Sequence, residues 1–254
     1  MYQSTNNPDL ESGQVLSYSQ GGQQKEMLTG LSSIDVRHGF IKKVYGILFV
    51  QLLITCAIAS PFVLMDQSII QPWVQANIWL LWVSLAVSFI TMIIFACFPR
   101  LMRSYPVNYC ILLLYTCTQG LFVGLVCSQY TVASVLIAVA TVTAITLALS
   151  LFAMQTKVDF TGFGPYLMVA CLVVLIFGFV LIFFPGNEIA TKIYCGIGAL
   201  LFSLYLVYDT QLIVGGNNRK HQLSVDDYCV GAICLYIDIV QLFMYILTLF
   251  GDRR

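Results

Sequence analysis

Charge is what this sequence has least of. Only 9% of its 254 residues are Asp, Glu, Lys or Arg, against roughly 25% in soluble globular domains. A chain this poor in charge cannot clothe a water-facing surface, and 59% of it is hydrophobic with a mean hydropathy of +0.87. The net charge is zero, which argues against electrostatic capture of nucleic acid. CxxC is missing, and no cysteine stands beside a histidine, so the nine cysteines are not read as a metal site. They read as small apolar residues. HExxH, GxSxG and the P-loop pattern are absent too, which removes three large enzyme classes. No basic segment leads straight into an apolar run at the N-terminus, so a cleaved leader is not expected and the first membrane helix does the targeting.

Long apolar runs are what is there. A helix rises 1.5 Å per residue, so about 20 apolar residues cross ~30 Å of hydrocarbon. Runs of this length fall at about 44–65, 76–98, 107–127, 130–153, 164–184, 193–214 and 228–250. Pro61 falls inside the first and predicts a kink. Pro72, Pro99, Pro106, Gly164-Pro165, Pro185-Gly186 and Gly215-Gly216 punctuate the rest. Trp73, Trp79, Trp82, Tyr105 and Tyr109 lie near run ends, where an aromatic belt belongs. No period-2 alternation competes, so the expected fold is an all-α, seven-helix membrane bundle over residues 37–254. Residues 1–36 are rich in Gln, Ser, Gly and Asn. Such a segment buries too little to fold alone and reads as a disordered cytosolic tail.

Basic residues in short loops orient a membrane protein. Arg37, Lys42 and Lys43 precede the first run; Arg100 and Arg103 follow the second; Lys157 follows the fourth; Arg219 and Lys220 follow the sixth. That pattern places the N-terminus in the cytosol. One feature opposes it: seven full crossings leave Arg253 and Arg254 outside. The last run either spans against that bias or re-enters; seven crossings is the reading adopted here.

Of the 24 charged residues, 22 lie in tails, loops or run ends. Asp209 and Asp238 do not. A charge at bilayer depth costs at least ~2.5–3.5 kcal/mol on insertion scales, so it marks function by default. Asp209 lies five residues before Val214, or ~7.5 Å from that end, and Asp238 ten residues after Tyr228, or ~15 Å. Both ends face the same loop, so the two can meet. Gly231, Cys234, Asp238, Gln241 and Tyr245 share one helix face; Gly198, Phe202, Tyr205, Asp209 and Leu212 share another. Small residues on such faces let helices approach closely, and Gly120 and Gly124 form a GxxxG step. Two carboxylates close together in a low dielectric cannot both ionise cheaply; they titrate as a unit and respond to pH near neutrality. When ionised they offer oxygens to a hard cation such as Ca²⁺, which makes them candidate metal-contacting residues as well.

The segments VRHGFIKKVYGILFVQLLIT, FAMQTKVDFTGFG, GALLFSLYLVYDTQLIVGG and LYIDIVQLFMYILTLFG, in this order, resemble the transmembrane Bax-inhibitor-motif family, within it the lifeguard branch. The resemblance runs from about residue 36 to 251 and leaves the tail outside. It implies seven helices with the last one central. It implies a pH-sensitive calcium leak of endomembranes, Golgi or endoplasmic reticulum, with the plasma membrane as a further location, and a role in protecting cells from death signals. Calcium is then the permeant ion and no cofactor is expected; the partners are the lipid bilayer, calcium ions, and cell-death regulators or calcium channels. It carries over a di-aspartyl sensor that falls on Asp209 and Asp238. In related bacterial proteins an arginine in the second helix latches the aspartates. Here that helix holds no cation, and Arg100 and Arg103, just past its cytosolic end, are the latch candidates.

Other functions compete. A scaffold acting on cell-death or calcium-channel partners through the tail is the main alternative. An intramembrane aspartyl protease lacks its GxGD and PAL patterns here, and a seven-helix receptor fits poorly with such short loops. The chain is therefore not expected to be an enzyme.

Overall fold

The computed structural model describes the backbone of residues 8–253 except 185 and 217, and the side chains of residues 35–253 apart from those two and 96, 99 and 182. The described chain is helical: α1 (Pro8–Leu64), α2 (Gln67–Ala76), α3 (Trp79–Cys97), a single turn α4 (Pro99–Met102), α5 (Val107–Cys127), α6 (Val132–Gln155), α7 (Gly164–Ile182) after a 3₁₀ turn, α8 (Glu188–Val214) and α9 (Tyr228–Phe250). Six helices are long and apolar enough to cross a membrane, and the α2–α3 pair makes a seventh span if counted as one. The tail expected at 1–36 falls on residues 1–7, outside the described set, and on residues whose backbone is the start of α1, where composition predicts no helix.

Three differences from the expected runs have local causes. The first crossing starts earlier than 44, at about Asp35. Near its far end α1 passes through Pro61. Proline leaves the carbonyl four residues back without its helix donor. That carbonyl, of Ala57, instead accepts from Ser60 Oγ at 3.1 Å. The second expected run is broken into two helices. α2 is a separate helix, begun by Asp66 accepting from Ser68 N at 3.0 Å, and it meets α3 at a bend of 65°. Asn77 at the bend donates to the Trp73 carbonyl at 2.8 Å and closes α2. α8 gains a turn at its start because Asn187 Oδ1 accepts from Ala190 N at 3.0 Å, a side-chain N-cap.

The last helix is central. No residue in 228–249 is exposed, and α9 packs on α1, α5, α6 and α8. α7, by contrast, turns Tyr166, Met168, Val169 and Val173 outward, as a lipid-facing helix must. The GxxxG step packs α5 onto α1: a Cβ on Gly120 would stand 3.3 Å from the Thr55 backbone, and one on Gly124 3.1 Å from that of Ala59. Close approach of this kind is the use of small residues in membrane helices.

α9 also crosses the whole bundle. Its start lies beside Arg103 and Lys43. Beyond its end, Asp252 pairs with the α5–α6 turn: Thr131 N donates to the Asp252 carbonyl at 3.0 Å, and Asp252 N to Ser134 Oγ at 2.9 Å. The two ends of α9 therefore sit at opposite ends of the bundle, and the re-entrant alternative does not hold.

Candidate functional site

Asp209 on α8 and Asp238 on α9 are buried, 8% and 3% exposed. Their carboxyl groups are near neighbours that interact directly. Ionised carboxylates only accept hydrogen bonds. A bond between two of them therefore requires a proton on one. Asp238 Oδ2 has no partner among the described residues, and an unmet charged oxygen in an apolar interior is expensive. Around the pair stand Tyr205, Tyr208, Cys171 and Cys234. They supply hydroxyls and thiols and no positive charge.

Packing fixes the approach of the two helices. Gly198 on α8 lies against the ring of Tyr245 on α9, where a Cβ would come within 2.5 Å of ring atoms. Tyr245 Oη lies 3.2 Å from Tyr194 Oη. On its other side α9 is held by Tyr236, whose hydroxyl lies 2.7 Å from Thr55 Oγ1. The small faces expected on both helices thus meet.

Above the pair, two loops are knitted together by polar groups. Gln211, two residues after Asp209 and fully buried, accepts from Phe160 N at 2.8 Å and donates to the Val158 carbonyl at 3.0 Å. Arg219 donates to the Thr156 and Ala153 carbonyls at 2.9 and 3.2 Å, which end α6. Asp159 accepts from Thr161 Oγ1 at 2.7 Å and from Lys220 N at 2.9 Å. The Thr161 hydroxyl bond, seconded by backbone N–H donors of Lys220 and Thr161 and by nearby Arg219, holds its carboxyl below the usual range against the opposing effect of desolvation. Arg37, at the start of the first crossing, donates to the carbonyls of Leu212, Val214 and Leu223 at 2.8, 3.1 and 2.6 Å. A cation there also complements the negative end of the α8 dipole. Gly215 follows with φ +63°, and a Cβ on it would meet Arg37 Nη2 at 2.5 Å, so glycine is required twice over.

The latch candidates lie elsewhere. Arg103 forks onto Asp227 at the start of α9, Nε–Oδ1 2.6 Å and Nη2–Oδ2 2.9 Å. This is the one ion pair among the described residues. Arg100 is exposed. Neither is brought to Asp209 and Asp238. No group of three or more His, Cys, Asp or Glu able to hold a metal occurs among the described residues. Three cysteines, Cys56, Cys97 and Cys110, are exposed on the outer faces of their helices rather than buried. The sequence reading did not single out Gln211 or assign roles to Arg37 and Arg219. Gln211 was signalled by Asp-Thr-Gln inside an apolar run; the arginines look like ordinary loop charges until the carbonyls they serve are known.

The fold and the site define a class: an all-α membrane bundle whose central last helix shares a buried acid pair with the helix before it. The comparisons make the class specific. Residues 37–254 match the family described as "Inhibitor of apoptosis-promoting Bax1". The chain is 38% identical to Protein lifeguard 3 of Homo sapiens over 222 residues, 86% of this chain and 70% of that one. It is 37% identical to Protein lifeguard 3 of Mus musculus over 86% of this chain and 70% of that one. It is 33% identical to Protein LIFEGUARD 4 of Arabidopsis thaliana over 95% of this chain and 94% of that one. The chain belongs to the Bax-inhibitor-motif family, in its lifeguard branch, and is a multi-pass membrane protein.

Proposed function

We propose that this protein is a pH-sensitive, calcium-permeable leak of an endomembrane, gated by Asp209 and Asp238, and that it protects cells from death signals. The observation that carries the gating is the burial of two neighbouring carboxyl groups on α8 and α9, an arrangement that is cheapest with one proton between them. While that proton is shared, it pins α8 to α9. Losing it removes the shared bond and sets two like charges against each other, and the helices lose one of the ties that set their spacing.

Two carboxylates supply at most four oxygens, while a tight Ca²⁺ site takes six to eight. The pair therefore suits an ion in passage better than a resident one. The cytoprotective part rests on the family description and on the names of the relatives. The endomembrane location rests on the family resemblance alone. The inward N-terminus is supported by the basic residues gathered at one end: Arg37, Lys43, Arg103 and Arg219 all contact elements at the α8–α9 loop end of the bundle.

The test is Ca²⁺ flux through the purified protein in liposomes across a pH series. Asp238→Asn should flatten the pH response. Unchanged flux with an unchanged pH response in that variant would overturn the proposal.

A further inference from the structure

A groove of about 450 Å³ opens on the outer face of the bundle between α1 and α5. Its walls are apolar, with Val50 and Ile54 from α1 and Leu113 from α5. Gly46 lies in it, and a Cβ there would meet nothing within 4 Å. Its deep end holds Gln51, which donates to Thr116 Oγ1 at 3.0 Å. At its mouth stands Lys43, whose Nζ lies 3.2 Å from the centroid of the Tyr228 ring, with Tyr109 alongside. A ring face orients an ammonium without neutralising it. The nearest acid in sequence to that ring, Asp227, is already forked by Arg103. Lys43 makes no ion pair among the described residues and stands at the end of a slot of acyl-chain character.

We propose that this groove is a binding site for one anionic glycerophospholipid of the leaflet that faces the basic end of the bundle. The headgroup phosphate and its neighbouring negative charge sit on Lys43, and one acyl chain runs past Gly46, Val50 and Leu113. Basic pockets between membrane helices on the cytoplasmic side recognise acidic headgroups in this way. The molecule supplies its own contrast. A second groove of about 470 Å³ lies between α1 and α6, lined by Phe49, Leu147 and Leu151 among others, and none of its lining residues is charged. It offers a chain a similar slot and gives an acidic headgroup hydroxyls but no cation. The site is independent of the acid pair and of calcium flux.

The experiment is native mass spectrometry of the purified full chain, in detergent carrying equal amounts of phosphatidylserine and phosphatidylcholine with identical acyl chains. The wild type should retain phosphatidylserine about fivefold over phosphatidylcholine, the size expected of one basic residue at a membrane surface. Lys43→Gln should bring that ratio to about one, and Lys43→Arg should keep it. Gly46→Leu leaves the charge but fills the groove, and should also lose the bound phosphatidylserine; far-ultraviolet circular dichroism checks that both variants keep their helices. Lys42→Gln, one residue away and outside the groove lining, should leave the ratio at its wild-type value. A wild type without preference overturns the site. So does a preference that survives Lys43→Gln or Gly46→Leu, or one that Lys42→Gln abolishes equally, since that outcome assigns it to diffuse surface charge.

Discussion

Arg37 donates through Nη1 to the carbonyl of Leu223, 186 residues further along the chain, at 2.6 Å. One guanidinium thereby ties the start of the first crossing to the loop that joins the two acid-bearing helices. Its other two bonds end α8 at Leu212 and Val214. Helix ends leave carbonyls without intrahelical donors, and a membrane interior has no water to serve them.

Arg37→Ala should cost about 2 kcal/mol, since hydrogen bonds to a charged group contribute roughly that much each and part of this cluster stays wet. Arg37→Lys should recover less than half of the loss, because a compact ammonium cannot fork to three carbonyls. Thermal melts of the three proteins in one detergent check this. Equal melting temperatures for all three would mean the clamp holds nothing.

Gly198→Ala should be destabilising by about 1–3 kcal/mol, the usual range for overpacking, because its methyl meets the Tyr245 ring within 2.5 Å. Tyr245→Ala in the same chain should relieve most of that cost. The measurement is the melting temperature of the two single variants and the double one; additive losses would contradict the contact.

Asp159→Asn tests the loop knit through pH. The folded carboxyl lies below its ordinary value of 3.8, so its contribution is fully present above that value and is lost as pH falls through the lowered one. At neutral pH the variant should melt earlier than the wild type. Below pH 3.8 the two curves should converge. A difference that is constant across the whole range would show that the charge is not what the variant removes.

Arg103→Gln should leave the melting temperature almost unchanged, because its fork to Asp227 is a surface ion pair with the arginine side chain 56% exposed. It should also leave the pH response of flux in place, since Arg103 sits on Asp227 and not on the acid pair. Loss of the pH response in this variant would restore Arg103 as the latch.

Most of this architecture is legible in the sequence because bilayer thickness fixes helix length. The expected runs 107–127 and 228–250 coincide with α5 and α9. Asp209 and Asp238 stand out because they are the two acids inside apolar runs, and their i, i+3, i+4 neighbours point both faces inward. The break in the second expected run was not legible. Pro72 marks punctuation, but the cap by Asp66 and the 65° bend depend on local hydrogen bonds that no hydropathy window sees. The arginine roles were hidden for a related reason. Arg37, Arg103 and Arg219 look alike as loop charges, yet one ends α8, one pairs with Asp227 and one ends α6. Only the fold decides which carbonyl or carboxylate each one reaches.

The central claim is that Asp209 and Asp238 act as one titrating unit. Residues that act as a unit give non-additive variants. The direct measurement is Ca²⁺ flux in liposomes against pH for Asp209→Asn, Asp238→Asn and the double variant, each checked for folding by its melt. The account predicts that either single change removes the pH response and that the double change removes no more. A pH response that survives in one single variant, or two partial losses that add in the double, would contradict it.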